Sequence, residues 1–218
     1  MITITCRCGA IELEFKAERD LFRLECCCYD CSAALSYARK RGGPEFAQHQ
    51  CVDSSWLPND FTITCGQGKL GAFRNYLKGV TTRFYCTDCW SILFADHPAY
   101  AQRLLVTQVV NFTAFEAIDK GALMAARARH FLKDLSTLQV AQLPPWRGEP
   151  AHVYSGVAGN LIAEFPAIQA AGSEGLAMNA QVLLAKIGAV FIPTGEPRLT
   201  SGPPSHAQQA EDLASSSD

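Results

Sequence analysis

A mainly β fold with a partly helical or disordered C-terminal extension is predicted for this chain by three observations. Short runs alternate apolar with polar residues on either side of paired cysteines. All ten cysteines fall between Cys6 and Cys89. Beyond residue 150 the alternation fades, and the last stretch is rich in Ser, Pro, Ala and Gln.

Taken in order, Ile2, Ile4 and Cys6 alternate with Thr3 and Thr5, and Ile11, Leu13 and Phe15 with Glu12, Glu14 and Lys16. Both runs have the period of a half-buried strand, so Cys6-Arg7-Cys8-Gly9 between them reads as a hairpin turn. Phe61, Ile63 and Cys65 share one face of a further strand, which places Cys65 in the core. Arg83-Phe84-Tyr85 leads into Cys86, and Ser91-Ile92-Leu93-Phe94 leads away from Cys89, giving a second hairpin. Leu104 to Phe112 is another strand. Residues 122–135, rich in Ala, Leu, Met and Arg, read either as a helix or as a strand ending near His130-Phe131-Leu132.

The segment Leu143-Pro144-Pro145-Trp146-Arg147-Gly148-Glu149-Pro150 punctuates the chain, dividing a cysteine-bearing β domain, 1–150, from an extension, 151–218. In the extension, Leu176, Ala180, Leu183, Ile187 and Val190 fall on one helical face, so one amphipathic helix is expected near 176–190, with Gly188 counting against it. From Pro197 onward the composition is that of a disordered tail.

Hydrophobic content of 48% and charged content of 18% suit a globular chain, and a net charge of −2 gives no electrostatic case for nucleic acid. The longest apolar segment, 176–193, carries Asn179, Gln181 and Lys186, too polar for a membrane span. Met1-Ile2-Thr3-Ile4-Thr5 has no charged n-region followed by a long apolar stretch, so no secretion signal is expected. A cytoplasmic, reducing compartment follows, in which clustered cysteines act as ligands or nucleophiles rather than bridges.

The densest feature is Cys26-Cys27-Cys28-Tyr29-Asp30-Cys31. A tight turn spaced Cys26-x-Cys28-x-x-Cys31 can aim three thiolates at one zinc about 2.3 Å from each sulfur, leaving the fourth position open for chemistry. The bland alternative is an oxidation-prone surface loop. Cys6-x-Cys8 and Cys86-Thr87-Asp88-Cys89, separated by 77 residues, make a second, four-thiolate site. Four protein ligands close a zinc site, whose role is then to hold two hairpins together. A redox dithiol at Cys86-x-x-Cys89 is the competing reading, but such a pair opens a helix, whereas strand-like sequence flanks this one. Two Zn²⁺ per chain are therefore expected. Cys27 points away from its neighbours in an extended turn, as a supporting or redox residue, and Cys51 lies in a loop with no partner pattern. The basic run Arg39-Lys40-Arg41 is a solvated loop or, on a sharper reading, meets a small anion near the open zinc.

Together, Cys6-x-Cys8-Gly9-Ala10, Cys26-x-Cys28-x-x-Cys31, Gly66 with Leu70 and Tyr76, and Arg83-Phe84-Tyr85-Cys86-x-x-Cys89 resemble the glutathione-dependent formaldehyde-activating family, whose domain centromere protein V also carries. The resemblance covers about residues 1–135. It implies a β-tent fold in which Cys6, Cys8, Cys86 and Cys89 hold the structural zinc and Cys26, Cys28 and Cys31 the catalytic one. It also implies a small thiol substrate, glutathione, condensed with formaldehyde to S-(hydroxymethyl)glutathione, formally by a carbon–sulfur lyase. Three departures from the family's pattern stand out. Cys27 stands where a His is common, Ser32-Ala33 replace a frequently basic pair, and Trp90 replaces a Gly, implying strain or a different turn.

A thiol of pKa ~8.5 is already roughly 3% ionised at pH 7, so complete ionisation by zinc gains at most ~30-fold, about 2 kcal/mol. The sequence thus supports an enzyme of small thiol adducts and, alternatively, a non-catalytic module that carries glutathione or binds a protein. A methionine sulfoxide reductase, whose zinc pairs are both Cys-x-x-Cys, fits less well because this chain opens with Cys-x-Cys.

Overall fold

The computed structural model describes residues 1–45, 51–112, 123–146, 159–172 and 178–193. Among these described residues, ten strands form two sheets. The smaller sheet contains β1 (Ile2–Thr5), β2 (Glu12–Phe15) and β5 (Phe61–Cys65), antiparallel in the order β1-β2-β5. The larger sheet contains β3 (Phe22–Cys26), β4 (Val52–Pro58), β6 (Leu70–Phe73), β7 (Thr82–Cys86), β8 (Ile92–Asp96), β9 (Leu104–Gln108) and β10 (Arg129–His130). Its order is β10-β3-β4-β9-β8-β7-β6, and only the short β10 runs parallel to its neighbour. The helices are α1 (Tyr29–Arg39), α2 (Thr137–Gln142), α3 (Gly159–Ala171) and α4 (Ala180–Ile187).

The sheets face each other across one apolar core. Alternation puts Ile2, Ile4, Leu13 and Phe15 on its inner side, against Leu57, Phe84, Phe94 and Leu105 of the larger sheet. A chain of rings crosses the gap: Phe15 to Phe61 at 5.4 Å, Phe61 to Phe94 at 5.3 Å, and Phe94 stacked on Phe84 at 4.5 Å. β7 and β8 are buried on both faces, because α1 covers the other side with Ala34, Leu35, Tyr37 and Ala38 packed near Phe73, Tyr85 and Ile92. That is why the second cysteine hairpin lacks the strict apolar–polar alternation of the first.

Several expectations change here. Residues 123–128 are not helical; the strand alternative holds, as the two-residue β10. β9 ends at Gln108, and Val109–Asn111 form a 3₁₀ turn whose Asn111 amide donates to the carbonyls of Ile92 and Leu93. Cys65 is exposed rather than in the core: β2 and β5 slip register between Glu12 and Leu13, and the end of β5 clears the opposite sheet. In the extension, α4 lies within the expected segment, its Ala180 and Leu183 buried in the main core; Leu176 lies outside the described residues. Gly188 terminates α4 in the left-handed conformation at φ 74°, a helix stop rather than an argument against the helix. α3, beginning after the Pro-rich segment, sets Phe165 and Ile168 against the cluster that contains Phe22, Leu24 and Trp56.

Candidate functional site

The turn after β1 and the turn after β7 meet. Gly9 sits at φ 71° and Trp90 at φ 53°, each closing its turn with a backbone bond, Gly9 N–H to the Cys6 carbonyl at 2.9 Å and Trp90 N–H to the Cys86 carbonyl at 2.8 Å. Arg7 N–H donates to Ser91 Oγ at 3.0 Å, joining the two turns directly. Four sulfurs face one another as a result. Cys6 and Cys8 Sγ are 3.4 Å apart and Cys8 and Cys86 Sγ 3.9 Å, and all four lie within 4.8 Å of one another. Sulfurs at tetrahedral positions 2.3 Å from a zinc are about 3.8 Å apart, so this set fits such an ion. Without one, burial pushes the Cys86 thiol up to about 12. Burial also raises Cys89, but hydrogen bonds from Ser91 and Cys8 outweigh it and bring that thiol down to about 6.

The second cluster is built where β3 becomes α1. Cys26 ends β3; Cys28 is the N-cap of α1, its sulfur accepting the Cys31 N–H at 3.3 Å; Cys31 lies in the first helical turn. The sequence suggested a tight turn, and the structure puts a helix N-terminus there instead, whose dipole and N–H groups favour thiolates. Cys26 and Cys31 Sγ are 3.9 Å apart and the three sulfurs lie within 4.8 Å of one another. Among the described residues no fourth metal-binding side chain joins them. Hydrogen bonds from Cys26 and Cys28, with the Arg83 guanidinium close by, hold Cys31 well below the ordinary thiol range.

Arg83, which sequence reasoning passed over as part of a strand, is the main addition to the site. It is buried and donates to the Asp30 carbonyl at 3.2 Å. Asn75 Nδ2 donates to the same carbonyl at 2.9 Å and Tyr76 Oη to Asp30 Oδ2 at 3.1 Å, so the loop before β7 pins the start of α1. Cys31 and Arg83, with Ser54, Phe94 and Thr107, line a cavity of about 50 Å³. A lone arginine in an apolar strand that leads into a ligand cysteine was the available signal.

The remaining cysteines and cations are placed differently from expectation. Cys27 and Cys51 form a disulfide, Cα to Cα 4.4 Å. Cys26 pairs with Val52 across β3 and β4, which brings the next residues outward, Cys27 and Cys51, opposite each other. These two are therefore bridged, and not a free supporting thiol and an unpartnered one. Arg39, Lys40 and Arg41 lie at the far end of α1, about 12 Å from Cys31 by helical rise. Arg41 lies over the Tyr37 ring at 3.5 Å and Arg39 pairs with Glu45 at 3.5 Å, so the run is engaged within the fold and does not serve the cysteine site. Trp90 keeps a left-handed turn that a Gly would adopt freely, stacking on Tyr85 at 4.4 Å.

A family model described as glutathione-dependent formaldehyde-activating enzyme matches residues 1–133. The chain belongs to this family. The glutathione-dependent formaldehyde-activating domain, as matched, spans both cysteine clusters and all ten strands and ends before α2. Either cluster can hold a metal ion. No curated protein matches the chain. A crystal structure of a Rhodobacter sphaeroides protein is similar at 18% identity, covering 56% of this chain and 97% of that one, with a TM-score of 0.36. Among the described residues no helix is long and apolar enough to cross a membrane.

Proposed function

We propose that this chain is a zinc enzyme of the carbon–sulfur lyase type, joining glutathione or a related small thiol to formaldehyde at Cys26, Cys28 and Cys31, with a structural Zn²⁺ held by Cys6, Cys8, Cys86 and Cys89. The observation that carries the reading is the three-sulfur cluster: its atoms converge, no fourth side chain among the described residues completes it, and a small cavity opens at Cys31. Zinc held there would supply the Lewis acidity that ionises an incoming thiol.

The chain's own groups do the rest. The N-terminus of α1 and Arg83 set positive potential beside Cys31, which favours an anionic sulfur. A cavity of about 50 Å³ admits a few water-sized molecules. Formaldehyde is of that size, so the aldehyde enters the cavity while most of a tripeptide thiol stays outside it. A cytoplasmic setting supplies the thiol.

A second reading, a carrier that binds the thiol without turnover, is favoured by α3, which covers part of the cluster containing Cys26 and Cys28. One comparison separates the two. Cys28→Ser is expected to lose one zinc and all turnover with the fold retained, and Cys86→Ser to lose the fold. A rate of S-(hydroxymethyl)glutathione formation unchanged by wild-type protein excludes the enzyme, and saturable glutathione binding in that case supports the carrier.

A further inference from the structure

We propose that Arg83 donates the hydrogen bond that receives the aldehyde oxygen, inside the cavity it shares with Cys31; this rests on the reading of that cavity as the place where thiol and aldehyde meet.

Strand register and helix phase bring the two residues together. Arg83 pairs with Ala95 across β7 and β8, and Ala95 with Val106 across β8 and β9, so these three form a row on one face of the larger sheet. All three line the cavity. Across it stand Cys31, Ala34 and Leu35, spaced i, i+3 and i+4 on the face of α1 that covers the sheet. Arg83 reaches over to that helix. Its Nη2 donates at 3.2 Å to the carbonyl of Asp30, the peptide oxygen immediately before Cys31.

The fold leaves this guanidinium with donors to spare. Arg83 is only 5% exposed, yet among the described residues no carboxylate pairs with it. The Asp30 carboxylate turns to the Tyr76 hydroxyl at 3.1 Å and leaves Arg83 the backbone carbonyl. Of five N–H groups on a guanidinium, Arg83 gives two to carbonyl oxygens, that of Asp30 and, at 3.4 Å, that of Thr81. A buried cation with no paired anion is costly to keep, and it is kept to advantage where a reaction brings negative charge to it. The cavity's hydroxyls are committed elsewhere. Ser54 Oγ donates to the Val52 carbonyl at 3.0 Å, and Thr107 Oγ to that of Leu93. Arg83 is the one cation among the residues that line this cavity.

In the step this serves, the thiol S–H bond breaks and its proton leaves to water. An S–C bond forms, and the C=O π pair moves onto oxygen, which takes a proton back from water. Arg83 N–H donates to that oxygen as charge builds and keeps its own proton, because a guanidinium is not deprotonated in proteins. A donor aimed at developing charge is worth about 10²–10³-fold in kcat.

The test uses the full, zinc-loaded chain. Arg83→Gln is expected to lower kcat about 10²-fold, with the KM for glutathione and the zinc content unchanged. Arg83→Lys keeps the charge but not the planar fork of donors, so its kcat is expected between that of Arg83→Gln and wild type. Unchanged kcat in Arg83→Gln overturns the proposal. Full kcat in Arg83→Lys also overturns it, because positive potential beside the sulfur then suffices. A measurement on wild-type protein does not depend on how either variant folds. The Arg83 Nε–H resonance, assigned through its bonds to the Arg83 backbone, is expected to move when formaldehyde is added to protein already saturated with glutathione. A resonance that ignores formaldehyde overturns the proposal even if wild-type protein turns over. A moving resonance in a protein without turnover keeps this contact and removes the enzymatic reading.

Discussion

Asn59 Oδ1 accepts the Ala180 N–H at 2.8 Å, joining the β4–β5 turn to the first residue of α4 across 121 residues of sequence. The same fully buried amide donates to the Gln102 carbonyl at 2.8 Å and to Gln181 Oε1 at 3.0 Å. This one side chain, with every bond satisfied, is thus one of the links that fasten the extension to the β domain. Asn59→Ala is expected to destabilise the chain by about 3 kcal/mol, because it leaves a buried N–H and a carbonyl unpaired. Chemical denaturation measures it, and faster amide exchange across α4 should accompany the loss. A change under about 0.5 kcal/mol, the scale of an ordinary surface substitution, would contradict this account.

The Trp90 turn predicts an inverted ranking. Both Trp90→Ala and Trp90→Gly lose the stacking on Tyr85 and the edge contact with Tyr37 at 5.7 Å. At φ 53° only Gly escapes the left-handed penalty, so the Gly variant should be the more stable of the two by about 1 kcal/mol. The same ranking by thermal unfolding, with zinc held constant, is the check; Ala above Gly refutes it.

Cys51→Ser should release Cys27. The bridged residues are 24 positions apart, and closing a loop of that length corresponds to about 3 kcal/mol of stabilisation. Protein prepared without reductant and then denatured should show one more reactive thiol in the variant than in wild type. Reactivity of all ten wild-type thiols under those conditions would rule out the bridge.

Asp20 gives a pH dependence. It is buried, accepting from Ser55 Oγ at 2.9 Å and from Met124 N–H at 2.7 Å, and burial raises its pKa above the usual carboxylate value. A raised carboxylate binds its proton more tightly folded than unfolded. Its contribution is therefore complete below the unfolded pKa and is lost as pH rises through the folded one. Asp20→Asn, which does not titrate, should gain on wild type in Tm as pH rises from about 4 to 7. A difference that is flat across this range would show that the carboxylate is not penalised.

How much of this was legible in the sequence depends on where each element finds its partners. β1, β2 and the two cysteine hairpins announce themselves by local alternation and by paired ligands. β4 was hidden because its centre, Asp53-Ser54-Ser55, is polar; Ser55 is buried only because Asp20, 35 residues away, accepts its hydroxyl. α1 was hidden behind its cysteines, although Cys28 followed by Asp30 and the alanines Ala33, Ala34 and Ala38 is a capped helix start. The Cys27–Cys51 pairing requires the β3–β4 register, which no spacing rule supplies. Both cysteine clusters, by contrast, came from spacing, because a turn of fixed length determines where a sulfur can reach.

The four-cysteine cluster joins turns from both sheets, and its halves are 78 positions apart. At synthesis rates of roughly 5–20 residues per second, Cys6 and Cys8 leave the ribosome about 4–16 s before Cys86 and Cys89. During that interval the nascent chain presents two unprotected sulfurs with nothing to share. An ion held by all four sulfurs would consequently be captured late in maturation, after the second hairpin has emerged.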